Sequence, residues 1–493
     1  DIAVTRMSGD QSSYTAIKPY AIASEDGTNL RLHWIELITD IQTQVSIMLA
    51  SDDVPDVFLG GLTTDLINMN PSLFQPLETM LPIYGAHVLD YYHANKIPYE
   101  NLLTYDDGHI YSLMGGFYSN RQNLLEGIAW INQAWLDKVG LKKPTTTDEL
   151  YAVLQAFKAQ DMDGNGDPTN EIPLAFANDY WCANISEYLG MFGITGNYNI
   201  EGGKVVPTMN TQAYRDYLEY FHKLYVEGLI DQEGFSQKGD QYVAANKAMM
   251  QGIFSMWAPQ TTLGVTAEAA DYVPLGAVSA PGYTYVQKAN HPVTANMTAF
   301  TVTTSCEYPE AALRWWDYLS STEELRWLTA RGIEGYCYEH HEDGNMYLAT
   351  PTDEEKAALI AQNHLAAEYN PTYTLASFYL DNVHPLLYAN FLYTAPEAGQ
   401  FPTQGYWRGL AIDELEPYNV KEVMSKNIVP TAFQEEFDFA CEGLEDYLNA
   451  FRAECIINGI DDAKWQVHQS KLESYHYAHY LHYYQCKLDG LYE

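Results

Sequence analysis

The sharpest chemical pattern in the sequence is a run of oxygen-bearing side chains, Asp161-Met162-Asp163-Gly164-Asn165-Gly166-Asp167-Pro168-Thr169-Asn170-Glu171. Oxygens at alternating positions of a tight loop converge, and a glycine at the sixth position permits a turn that a Cβ would obstruct. Asp161, Asp163, Asn165, Asp167 and Glu171 are therefore candidate ligands for a hard cation, and calcium is the expected ion. The terminal acid of an EF-hand loop falls at the twelfth position, whereas Glu171 stands at the eleventh. The expectation is an EF-like loop holding a structural calcium, set against the plain alternative of a solvated acidic turn.

A second set of residues suits carbohydrate. Trp34, Tyr180-Trp181 and Trp257 fall at or near the ends of expected strands. Sugar rings expose C–H groups that stack on aromatic faces, while amides and charged groups fix the hydroxyls. Asp179, Asn120, Arg121 and Asn296 are the candidate polar partners. Any one aromatic is more often core than ligand platform; taken together at cleft-side positions, two of the three tryptophans are expected in a binding surface. Aromatics make up 14% of the chain and tyrosine alone counts 40, a composition that favours such surfaces.

Other chemistries find little support. His476, His479 and His482 share a helical face, but no acidic or cysteine partner lies at a familiar ligand spacing. Glu339-His340-His341-Glu342 lacks the HExxH spacing of zinc proteases. Neither a GxSxG elbow nor a glycine-rich phosphate loop occurs. With 65 acidic residues, carboxylate pairs are inevitable, and none can be singled out as a glycosidase pair. The formal net charge of −39 repels nucleic acid and anionic lipid. No apolar run reaches the ~18 residues of a membrane-spanning helix. The six cysteines form no CxxC pair, and buried thiols or ordinary bridges are expected. The chain begins at Asp1 rather than Met, as expected of a mature or trimmed form.

The elements that must position these groups are readable from periodicity. Leu30, Leu32 and Trp34 alternate with polar residues as in a strand; Ile38, Ile41, Val45, Met48 and Leu49 follow helical spacing; Val54 to Leu59 is a short buried strand ended by Gly60-Gly61. Strand, helix and strand in this compass form a βαβ unit and demand a parallel sheet with covered faces. Ligands bind at the carboxyl ends of such strands, and Trp34 and the Gly60 to Thr63 turn are expected at a cleft edge. Helices are expected at 132–140, ended by Gly140, after an N-cap at Thr147, at 211–227, at 245–251 and from Pro309. Strands are expected at 252–256 and 299–303, and mostly helix after about 355.

Several of these pieces, taken in order, resemble extracellular solute-binding proteins of family 1, in the lipoprotein branch found in Gram-positive bacteria. The resemblance rests on Leu49-Ala50-Ser51 with Val54-Pro55-Asp56-Val57, and on Trp130-Ile131-Asn132 through Trp135-Leu136-Asp137-Lys138-Val139-Gly140-Leu141. It continues through Pro144 to Leu150, Glu171-Ile172-Pro173, and Pro309 to Trp315 with Gly332-Ile333-Glu334-Gly335. It implies a periplasmic-binding-protein-like fold of two α/β lobes with a hinge and a ligand cleft between them. The first lobe would take residues 1–118 plus 292–345 and the second 119–291 plus 346–493. It further implies a capture subunit of an ABC importer, without enzymatic activity, that delivers a carbohydrate, most often an oligosaccharide, to a membrane permease. Such a protein would be an extracellular monomer, lipid-anchored at the cell surface through a residue upstream of Asp1. The acidic loop resembles the family's calcium site. The amino-terminal strand before residue 30 aligns poorly, so its pairing stays open. A secreted carbohydrate-active enzyme and a peptide-capturing binder on the same scaffold are the rival readings.

Overall fold

The computed structural model describes residues 1–5, 27–51, 54–119, 125, 127–167, 169–248, 251–291, 295–331, 333–336, 338–340, 346–348, 352–362, 383–388, 391–393, 401, 404–424 and 428–492. The chain forms two α/β lobes, each built on its own sheet. The first sheet has five strands in the order Trp34–Leu37, Ile2–Thr5, Val57–Leu59, Asn296–Val302, Ser112–Gly115. Ile2–Thr5 runs parallel to both of its neighbours, so the two strands of the βαβ unit are separated by the amino terminus. Asn296–Val302 and Ser112–Gly115 add an antiparallel edge. Leu113, Phe300, Trp315 and Trp316 are buried beneath this sheet.

The second sheet has four strands in the order Tyr272–Pro274, Ile128–Asn132, Gln251–Met256, Ile172–Leu174. Gln251–Met256 pairs in parallel with Ile172–Leu174 and antiparallel with Ile128–Asn132. Its residues are buried along their whole length, as a central strand covered on both faces must be. The helix Thr147–Lys158 buries Leu150, Val153, Leu154 and Phe157 against this lobe, and Gln212–Val226 buries Tyr214, Tyr217, Leu218, Phe221 and Leu224. Carboxyl-terminal helices Leu444–Asn458, Asp462–Ser474 and Tyr477–Asp489 extend the same core through Leu448, Cys455, Leu472 and Tyr480.

Several local expectations shift. The alternation at Leu30, Leu32 and Trp34 is a true burial alternation, since these side chains pack on the first core, yet regular pairing begins only at Trp34. The cap of the helix at 147 is Thr146, whose hydroxyl accepts from the Glu149 amide at 3.2 Å, while Thr147 is buried inside the first turn. The helix expected at 245–251 occupies Gly239–Lys247. Part of the segment assigned to the second lobe returns to the first: Val383 and Leu386 join the first core, and Leu387 pairs in parallel with Phe117. Unpaired strand edge at Phe117 is satisfied by that return. The helical reading after 355 holds in Asp353–Ala361 and from 404 onward and is interrupted by the short strands Leu387–Tyr388 and Phe391–Tyr393, while 363–382 and 394–400 lie outside the described residues. Among the described residues Cys306, Cys441, Cys455 and Cys486 are free thiols, and Cys182 is buried. No described helix is long and apolar enough to cross a membrane.

Candidate functional site

In the second lobe the parallel strands Ile172–Leu174 and Gln251–Met256 end on the same side of the sheet. The chain beyond the first leads to Asp179, Tyr180 and Trp181; the residue after the second is Trp257. The rings meet there. Trp181 and Trp257 lie 6.3 Å apart between centroids at 41°, and Tyr180 lies 6.2 Å from Trp181. Trp181 keeps 55% of its surface exposed, an unusual state for the largest apolar side chain. The hydroxyl of Tyr180 donates to Met256 Sδ at 3.6 Å and its ring packs on Tyr242, which fixes the base of the platform.

Trp257 is held from below by a residue that its spacing could not reveal. Arg408, on the helix Gln404–Leu415, sets its guanidinium 3.3 Å from the centroid of the Trp257 ring. Its Nη1 donates to the Trp257 carbonyl at 2.9 Å, and its Nη2 donates to the Leu125 carbonyl. The side chain is wholly buried. A planar cation both stacks on indole and donates in its own plane, so one residue pins ring and backbone together. Its sequence signal is weak: Trp407-Arg408 stands about 150 residues from Trp257, in a helix of ordinary pattern.

Asp179 stands at the platform's edge, about half exposed. Its Oδ2 accepts from the Gly239 amide and its Oδ1 from Lys238 Nζ, both at 3.3 Å. Those two donors, the amide first, hold its carboxyl below the usual carboxylate range, so it presents acceptor oxygens at neutral pH.

In the first lobe the carboxyl ends of the parallel strands form a second concavity of about 720 Å3, lined by Thr5, Ile38, Gln42, Gly61, Leu62 and Asn296 among others. Gly60 and Gly61 both adopt positive φ, 73° and 81°. A Cβ at Gly60 would come within 2.6 Å of Val383 Cγ1, so the turn needs glycine for conformation and space alike. Asn296 lies at the amino end of its antiparallel strand, beside the carboxyl ends of the parallel ones, and its Oδ1 accepts from the Thr298 amide at 3.0 Å. Trp34 does not line this concavity. It opens its strand, at the end opposite the concavity, and its ring packs edge-on against Trp315 at 6.3 Å. Asn120 and Arg121 lie outside the described residues.

The acidic loop closes on itself. Asp161 Oδ1 accepts from the Gly164 amide at 2.8 Å and Oδ2 from the Gly166 amide at 2.9 Å. Oxygens of Asp161, Asp163 and Glu171 gather within 4.8 Å of one another. Glu171 is buried; its Oε1 accepts from the Met162 amide at 2.6 Å, while its Oε2 has no hydrogen-bond partner. A buried, unpartnered carboxylate oxygen facing two further carboxylates fits an oxygen-seeking cation. Asn165 and Asp167 instead turn their Oδ1 atoms to loop donors, the Asp167 amide and Thr169 respectively. Among the described residues this is the one group of acids, histidines or cysteines close enough to share an ion; His476, His479 and His482 form no such group.

Two α/β lobes, each opening a concave surface at the carboxyl ends of parallel strands, define the fold of the solute-binding proteins of ABC transporters. No family profile matches the chain. The chain is homologous to the fructooligosaccharide ABC transporter substrate-binding protein FusA of Streptococcus pneumoniae serotype 4, at 26% identity over 480 residues, 93% of this chain and 84% of that one. The structure of FusA in complex with kestose covers 99% of this chain and 98% of its own, with a TM-score of 0.79 and 22% identity. A FusA EF-hand mutant in complex with fructo-nystose gives the same TM-score of 0.79 at 21% identity and the same coverage, 99% and 98%. An HMO-binding, ABC-transporter-associated solute-binding protein from Bifidobacterium longum infantis covers 99% of this chain and 97% of its own, with a TM-score of 0.76 and 21% identity.

Proposed function

We propose that this chain is the extracellular capture subunit of an ABC importer, which closes two lobes around an oligosaccharide and hands it intact to a membrane permease. The observation that carries this reading is the Trp181–Trp257 pair, exposed on one side and anchored by Arg408 on the other. Stacked indoles give apolar area at little entropic cost, and Asp179 beside them accepts sugar hydroxyls. The first lobe supplies the complementary polar wall through Thr5, Gln42 and Asn296. Asn120 and Arg121, which lie outside the described residues, complete the proposed set. Homology to a fructooligosaccharide-binding relative supports short oligosaccharides as the first ligands to test.

The lobes are taken as 1–118 with 292–345 and 119–291 with 346–493, save for the return strand near 383–388. The protein acts as a monomer at the cell surface, held by a lipid on a residue upstream of Asp1. Its cation loop holds calcium through Asp161, Asp163 and Glu171, with Asn165 and Asp167 shaping the turn; calcium supplies charge that ties the loop to the strand Ile172–Leu174.

Calorimetric titration with a panel of short oligosaccharides and peptides, followed by mass spectrometry of the released ligand, tests the reading. The expected result is saturable binding of at least one oligosaccharide, recovered at its original mass. Binding of peptides alone, or recovery of shortened sugar, would overturn it.

A further inference from the structure

A further cavity, of about 730 Å3, shares no lining residue with the aromatic platform or the first-lobe concavity and is lined by residues of both lobes. Leu102 and Met297 face it from the first core, Leu189 and Ile194 from the second. Arg452, on the helix Leu444–Asn458, also lines it. This arginine is 97% buried by residue surface, with 3% exposed. Its Nη1 donates to Asn449 Oδ1 at 3.1 Å, its Nε has no partner, and among the described residues it forms no ion pair.

Burying a guanidinium without a counter-charge costs several kcal/mol, so such groups are ordinarily paired. The chain carries 65 acidic residues, and three of them, Glu187, Glu422 and Glu445, line this same cavity. Each has contacts of its own, and among the described residues none stands in an ion pair with Arg452. Glu422 accepts the amides of Gly202 and Gly203 at 3.0 and 2.5 Å, and Glu445 accepts the Tyr480 hydroxyl at 3.2 Å. The guanidinium therefore keeps an unmet demand for a negative charge, next to an open volume of small-molecule size.

We propose that this cavity is a second ligand site, distinct from the cleft, that takes a small anion bearing a carboxylate or phosphate group on Arg452. The planar fork of arginine matches either group in a bidentate fashion.

The test is a thermal-shift titration of the full chain with inorganic phosphate and, separately, with glucuronate. The key variant is Asn449→Asp, at an exposed position, which sets a carboxylate against Nη1 and supplies the missing counter-charge internally. Arg452→Met removes the charge at similar volume, and Trp181→Ala controls for the cleft. At least one probe should raise the melting temperature of the wild type and of Trp181→Ala. The apparent affinity should fall at least about tenfold in Asn449→Asp, the loss of one charge-assisted contact. A rise with phosphate alone identifies the phosphate class, and with glucuronate alone the carboxylate class. No rise with either probe would overturn the proposal. So would an equal rise in Asn449→Asp, which would reflect general salt stabilisation. Should Arg452→Met fail to fold, Asn449→Asp decides the question by itself.

Discussion

Trp181 and Trp257 do different jobs although they touch. Trp257 is pinned by Arg408 and belongs to the lobe's interior edge; Trp181 is open to solvent and can be removed with little effect on packing. Trp181→Ala should therefore weaken oligosaccharide binding by about 1–2 kcal/mol and leave the unfolding midpoint nearly unchanged. Calorimetry and urea denaturation of the same preparation check both halves, and a large fall in stability would move Trp181 out of the ligand site and into the fold. His468 makes a second test at this scale. It is buried, its Nε2 faces the Met209 carbonyl at 2.9 Å, its Nδ1 faces the Tyr447 hydroxyl at 2.8 Å, and its ring stacks on Phe451 at 3.9 Å. A proton on Nε2 donates to Met209, so Nδ1 accepts from Tyr447 and the ring is neutral. Burial lowers its pKa below the ordinary histidine value. A depressed folded pKa means stability that is complete above the unfolded value of about 6.5 and is lost as pH falls through and below it. Urea midpoints at pH 7 and pH 5 should diverge more for the wild type than for His468→Gln; equal divergence would mean that other groups carry the acid sensitivity.

At the level of elements, what was legible followed periodicity and caps. The helices Thr147–Lys158, Gln212–Val226 and Pro309–Ser320 each bury a single apolar stripe, and a stripe survives in sequence because it recurs every three to four residues. The strand at 34 was misread because alternation reports burial, whereas strand assignment needs a backbone partner. Its partner, Ile2–Thr5, is a four-residue strand some 32 positions away, and no local pattern announces such a pairing. Residue type and strand ends suffice to name Tyr180, Trp181, Trp257, Asp179 and Asn296 as candidates; they also name Trp34, whose ring packs on Trp315 at the other end of its strand. Arg408 escaped because its role depends on tertiary contact alone. The acidic cluster is legible because Asp161, Asp163 and Glu171 come from one short stretch, whereas Asn165 and Asp167, named with them, turn to loop donors. Calcium at a hundredfold its Kd should stabilise the fold by about 2.7 kcal/mol, and a chelator should remove that increment. In Asp161→Asn the chelator should change nothing. An unaltered melting point in the wild type on chelation would contradict calcium in this loop.

Across the whole molecule, the two concave walls sit on separate sheets with separate cores. A ligand that contacts both walls binds the closed arrangement more tightly than the open one, and that difference is what shifts the population. One locus of contact beyond the crossing chain constrains the motion. The Asp106 Oδ2 of the first lobe accepts from the Thr431 amide at 2.6 Å, and Asn68 Nδ2 donates to the Val429 carbonyl at 3.2 Å. The proposed closure would pivot about these points, as a rotation of one lobe over the other.

Small-angle X-ray scattering through a titration with a bound oligosaccharide tests this central claim most directly. The radius of gyration should fall to a plateau as the cleft saturates, and the fall should need far higher sugar in Trp257→Ala. A radius that stays constant while calorimetry reports saturation would mean that the lobes do not close on their cargo, and the account would be wrong.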